Sequence, residues 1–300
     1  MPQTKKIHSR EFVDSMDKVA KSAQLAAGWP VYQDFEVAEK DGEVYVYALY
    51  HPEELEAKPG TTSVQDILTP KDLNLQRWYA PLREEPDLFL KFASLARKGP
   101  LTRDEMLKIV LEWVKRFGTL GWGSFYYHGA PGSVPQEVHR RECFSAFERA
   151  VTEAARCLGL YQAARIPEPA DADAALQSYR VTGSTVEQRR EMALLEVGDI
   201  VGNHVRNECY PELYREIRKG TEQTMRFSQG WEFHSLLGAM YLQMMWLITK
   251  GISVRSCKGP GCRNFIAYDS SREDKVFCGK NCKEKWRYHH VVKPRRQRQA

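Results

Sequence analysis

Four cysteines near one end of this 300-residue chain constrain it more than any other feature. They stand as Cys257-x4-Cys262-x15-Cys278-x3-Cys282. Two cysteine pairs with short internal gaps, roughly ten to twenty residues apart, suit tetrahedral coordination of one zinc ion. Gly259, Pro260 and Gly261 let the first loop turn back so that thiolates and backbone amides both face the metal. Phe265 to Tyr268 and Lys275 to Phe277 are expected to pair as a small hairpin around a polar turn, Asp269 to Asp274. The second cysteine pair then opens a helix, from Asn281 to about His290, whose N-terminal dipole favours the thiolate cluster. Four thiolates fill the coordination sphere, so the expected ion is structural rather than catalytic. The order of knuckle, hairpin and helix predicts a treble-clef-like finger.

The other cysteines, Cys143, Cys157 and Cys209, bring the total to seven, an odd number for a disulfide framework. Scattered through apolar, helical-looking segments, they read as small core hydrophobes. This distribution points to a reducing, cytoplasmic setting. Met1 to Arg10 is polar and does not read as a secretory signal. The longest apolar stretch, Leu236 to Ile248, is interrupted by Gln243 and falls short of the ~20 residues a membrane helix needs. No membrane partner is expected.

Charge is distributed unevenly. From Arg255 onward there are 13 Lys and Arg against 4 Asp and Glu, a balance of +9. The whole chain carries +5, so residues 1–254 sum to −4. An electrostatic partner is therefore expected at the C-terminal end only. The helix after Cys282 carries Lys283, Lys285, Arg287, His289 and His290, with Trp286 and Tyr288 interleaved. Lys280 precedes it, and Lys293, Arg295, Arg296 and Arg298 follow as a basic arm. A basic helix with a basic arm is a phosphate-binding surface, and double-stranded DNA is the expected partner, although lysine does not distinguish DNA from RNA phosphates. Trp286 is expected to pack on the finger's small core rather than on a base.

The cysteine spacing, the Phe and Ser-Arg-containing turn, and the aromatic-Cys pair leading into a basic helix resemble the CGNR-type zinc finger of bacterial proteins. The resemblance covers about residues 252–293. It implies one structural Zn2+ held by Cys257, Cys262, Cys278 and Cys282, a nucleic-acid face on the basic helix, and a role in transcription regulation. The chain departs from that family's name-giving Cys-Gly-Asn-Arg, reading Cys282-Lys283-Glu284-Lys285 instead. It also has three residues inside the second pair where the family often has four.

Elsewhere the pattern is mostly helical, with a small N-terminal β element. Residues 11–27 have helical composition, and Gly28-Trp29-Pro30 stops them. Asp34 to Tyr50 reads as a hairpin turning at Lys40-Asp41-Gly42. Glu53 to Pro70 reads as a loop. A helix is expected from Pro86 to Ala96, and Thr102 with Glu105 forms a capping box before the next. Gly118 to Pro135 reads as an aromatic-rich loop that could line an effector pocket. Further helices are expected over about Glu137 to Leu160, Val186 to His204 and Trp231 to Ile252, with a linker around 166–173. The expected organisation is an α/β segment over 1–70, a helical body over 71–252, the finger over 253–293 and a basic tail over 294–300.

No Gly-rich phosphate loop, HExxH or Gly-x-Ser-x-Gly pattern is present. Asp199, His204 and Glu208 read as surface or satisfied helix polarity, and His234 as a hydrogen-bonded core histidine. The sequence thus predicts a non-enzymatic zinc-finger regulator whose body senses a small molecule or forms a homo-oligomer. The alternative is a zinc-stabilised protein-interaction module that binds no nucleic acid.

Overall fold

Alternating side chains and an Asp-Gly turn start the described architecture. In the computed structural model, residues 29–48, 75–98, 101–121, 141–217, 225–268 and 274–293 are described. Strand β1 (Trp29–Tyr32) is followed by β2 (Phe35–Lys40) and β3 (Glu43–Ala48). β2 and β3 pair antiparallel from Phe35 opposite Ala48 to Lys40 opposite Glu43. Asp41 and Gly42 both take positive φ, 54° and 77°, as a two-residue hairpin turn requires. The hairpin is therefore where the sequence places it. Strand β4 (Leu75–Tyr79) returns to pair with β1.

Helices then dominate. α1 (Pro81–Glu84) and α2 (Leu88–Ala93) are short, and a tight helical turn over Ser94–Lys98 follows. α3 (Arg103–Phe117) opens with the capping box Thr102–Glu105, both of its reciprocal bonds being made. The expected helix from Glu137 instead begins at Phe144, because Arg141–Cys143 forms strand β5 against β3. That helix, α4 (Phe144–Ala164), runs through the core, burying Phe147, Val151, Leu158 and Tyr161 on one side. The expected linker around 166–173 is largely a helix, α5 (Pro169–Ser178), opened by a proline in its first turn.

α6 (Val186–Glu208) is capped by Thr185 and Gln188 and buries Ala193, Val197, Val201 and Val205. Met192 and Leu195, apolar residues of the same helix, face solvent. A long ribbon of β6 (Cys209–Ile217) and β7 (Met225–Phe233) comes next. Trp231 thus lies in a strand, and the expected helix starts only at Leu236 as α7 (Leu236–Thr249), capped by Ser235. β-forming aromatics before Ser235 outweigh the apolar run that suggested a longer helix. His234 lies in the strand-to-helix connection and is exposed, which corrects the core reading.

α7 is nearly buried on all sides, and its Gln243 is satisfied there. Gln243 accepts from the Phe89 amide at 3.0 Å and donates to the Glu85 carbonyl at 2.8 Å. Cys157 and Cys209 are buried as core hydrophobes, whereas Cys143 is half-buried. No helix among the described residues is long and apolar enough to cross a membrane. The segments expected over 11–27, 53–70 and 122–135 lie outside the described residues.

The chain then enters β8 (Ser253–Ser256), which pairs with β9 (Phe265–Tyr268). This replaces the expected pairing of Phe265–Tyr268 with Lys275–Phe277. Val254 is buried in the core and Phe265 and Ala267 pack beside it, so that face of the pair joins the body, while Ile266 is buried on the opposite face. Tyr161 donates to the Ile252 carbonyl at 2.8 Å, and Gln162 to the Val254 carbonyl at 3.0 Å. Arg165 reaches the Gly251 carbonyl at 3.0 Å. Two side chains of α4 and that of Arg165, which caps it, thus hold the segment that leads into the cysteine array. α8 (Lys280–Arg287) continues into a wider helical turn over Tyr288–Val292.

Candidate metal centre

β8 and β9 place the first cysteine pair, and the N-terminus of α8 brings the second pair to meet it. The sulfurs of Cys257, Cys262, Cys278 and Cys282 all lie within 4.8 Å of one another. Cys262 and Cys278 Sγ are 3.7 Å apart, and Cys278 and Cys282 Sγ 3.4 Å. Sulfurs tetrahedrally disposed about zinc at ~2.3 Å stand ~3.8 Å from one another, so these separations fit such an ion. Four cysteines are therefore placed to hold a metal ion.

Backbone and side-chain donors surround the sulfurs. The amides of Gly259 and Cys278 point at Cys257 Sγ from 3.4 and 3.3 Å. Asn264 Nδ2 lies 3.7 Å from Cys278 Sγ. Burial raises the Cys257 thiol, but these two amides together with the Cys262 and Cys278 side chains outweigh it and hold the group below its ordinary value. Cys278 is pushed up to about 12, by burial first and by the neighbouring sulfurs after it. Such a cluster favours a bound cation, which allows all four sulfurs to ionise together. The Cys257 amide donates to the Asn264 carbonyl at 2.9 Å, and that of Lys258 to the Val276 carbonyl at 2.9 Å, tying the knuckle to both flanking segments.

Gly259 is required by a close approach. A Cβ there would meet Cys282 Cβ at 2.7 Å and its Sγ at 3.1 Å. Gly259→Ala is therefore expected to push Cys282 from its position and lower metal affinity about 10–100-fold, as loss of supporting geometry around a metal does. Competition against a chromophoric chelator measures this; an unchanged affinity would contradict the packing described.

The basic residues expected beside the finger are exposed where described. Lys280, Lys283, Lys285, Arg287, His290 and Lys293 face solvent, and Glu284 stands among them. Lys280 Nζ is 3.8 Å from Glu284, an ion pair with both partners well exposed. Arg295, Arg296 and Arg298 lie outside the described residues. Trp286 is half-buried, 5.8 Å from the Phe277 ring and stacked on His290 at 4.6 Å.

A second polar constellation was only partly recognised in the sequence. His204 is not surface polarity: its side chain is 12 % exposed. Its Nδ1 lies 2.9 Å from Glu208 Oε1 and its Nε2 2.5 Å from Glu153 Oε1. The ring stacks on Tyr241 at 3.9 Å, nearly parallel, and the Tyr241 hydroxyl donates to Glu153 Oε1 at 3.0 Å. Ser235 Oγ donates to Glu208, and its oxygen accepts from the Gly238 amide at 2.8 Å. Burial lowers the imidazole, but the bonds to Glu153 and Glu208 prevail and raise it to about 9. Glu153 is correspondingly lowered, chiefly by its bond to His204. The cluster joins α4, α6 and α7 through a buried imidazolium between two carboxylates. Asp199 is exposed and stands apart from it. The i, i+4 spacing of His204 and Glu208 was a readable signal; Glu153, 51 residues away, was not.

The chain matches no family model, no curated protein and no solved structure.

Proposed function

We propose that this protein is a zinc-containing nucleic-acid-binding regulator, with double-stranded DNA as its partner. The observation that carries the reading is the exposed basic helix mounted on the cysteine cluster. Lys280, Lys283 and Arg287 recur at i, i+3 and i+7, one stripe of the helix. A single helix of this size fits the B-DNA major groove, ~12 Å wide. The ion we assign is zinc: four thiolates with tetrahedral separations are its preferred structural site, and they leave no open position for a substrate. Its chemistry is to fold and position the helix, and no catalytic role is assigned. The CGNR-type resemblance of residues 252–293 supports the same reading.

Fluorescence anisotropy with generic duplex DNA tests it on the full zinc-loaded chain. Four phosphate contacts would make binding fall about a hundredfold between about 50 and 200 mM salt. Lys283→Glu with Arg287→Glu should abolish it while leaving zinc content unchanged. Absence of binding at low salt would sink the nucleic-acid reading and favour the protein-interaction module. Tighter binding to single-stranded RNA would move the partner class but keep the surface.

A further inference from the structure

Helix α6 presents an apolar face that the rest of the described chain leaves uncovered. Leu194 and Leu195 are 43 % and 55 % exposed. One turn further along, a cavity of about 280 Å³ opens between α6 and α7, lined by Gly198, Val201, Gly202 and Val205 on one side and Met245 and Ile248 on the other. Glycine inside a helix is unfavourable, and neither of these is demanded by close packing within the chain. A Cβ at Gly198 would meet nothing within 4 Å, and at Gly202 only the end of the Arg206 side chain at 3.8 Å.

The order of residues along this face identifies what covers it. Glu191, Leu195, Gly198, Gly202 and Arg206 recur at spacings of 4, 3, 4 and 4, one stripe of the helix that is exposed except at half-buried Gly202. Two copies of α6 laid antiparallel, with a two-fold axis between residues 198 and 199, bring complementary groups together. Glu191 of each copy faces Arg206 of the other, and Leu195 of each faces the notch at Gly202. A parallel arrangement would oppose Glu191 to itself and Leu195 to itself, leaving both notches unfilled. A self-complementary patch of this kind is what a two-fold dimer requires. We infer that the chain pairs with a second copy of itself through α6, antiparallel, each Leu195 seated over the other copy's Gly202. The inference stands on α6 alone and does not depend on the nucleic-acid reading.

Sedimentation velocity of the full, zinc-loaded chain over a concentration series tests it. The wild type should sediment at twice 34.6 kDa. Gly202→Leu fills the notch, its Cβ meeting within one copy only the movable end of the Arg206 side chain. It should weaken pairing by about tenfold or more while the melting temperature of the monomer holds or rises. Glu191→Arg and Arg206→Glu should each weaken pairing comparably, and the double charge reversal should restore it. A wild type that is monomeric at every concentration would overturn the inference and leave the face to a different protein. A dimer indifferent to Gly202→Leu, or not rescued by the double reversal, would overturn it as well.

Discussion

Stripping the metal from the full chain with a chelator, or replacing Cys278 with serine, will unfold residues 257–293 and leave the helical body folded. The reason is how little else holds this segment. α8 has no buried residue, and among the described residues from Cys257 onward only Cys257, Gly259 and Ile266 are buried. A core this small cannot offset the conformational entropy of ordering the segment. The apparent free energy of structural zinc binding, ~10–16 kcal/mol, is then the folding energy of the finger. β8 should survive at its start, because Ile252 and Val254 are buried and held by α4. Hydrogen exchange read by mass spectrometry should show protection lost beyond Cys257 and retained in α4 and α7. Unchanged protection after complete metal removal would mean that packing, not coordination, holds the finger.

The second large effect is expected at His204. Replacing it with leucine removes the charge between Glu153 and Glu208 and leaves Glu208, 3 % exposed, without its imidazole partner. Breaking a buried pair from one side costs ~3–5 kcal/mol. The pH dependence carries a definite sign. The folded imidazole is raised from 6.5 to about 9, so its stabilisation is complete below pH 6.5 and is lost as pH rises through 9. That displacement corresponds to about 3 kcal/mol. Glu142 adds a slope of the same sign at lower pH, since burial raises it from 4.5 to about 8. The informative quantity is therefore the difference between wild type and His204→Leu, in which Glu142 cancels. Urea unfolding across this range should find that difference large at pH 6 and mostly gone by pH 9.5. A difference independent of pH would show that His204 is not a buried cation.

What the sequence revealed follows the range of the interactions concerned. The cysteine array, the Asp41-Gly42 turn and the Thr102–Glu105 capping box are local chemistry, and each lies where its spacing places it. The apolar length of α7 similarly marks it as the buried helix. Long-range pairing was not legible. β9 selects β8 rather than the segment at 275–277, because Val254, Phe265 and Ala267 turn one face of that pair onto the body's core. The aromatics around Trp231 serve a strand rather than a helix because β6 is there to pair with them. Leu195 fits a helical stripe as well as Val197 does, and only packing shows which side of α6 is inward. The metal site was readable because its ligands come in two short-range pairs. The His204 cluster was not, because it is completed by Glu153 and Tyr241 from two other helices.

Metal analysis of the chain purified under reducing conditions, followed by cobalt substitution, tests the central assignment most directly. One zinc per chain, and a cobalt form whose absorption shows tetrahedral coordination with strong thiolate charge transfer, are the predicted results. A chain that retains no metal, or a cobalt spectrum lacking thiolate bands, would contradict the assignment and remove the basis for the basic helix as a positioned surface.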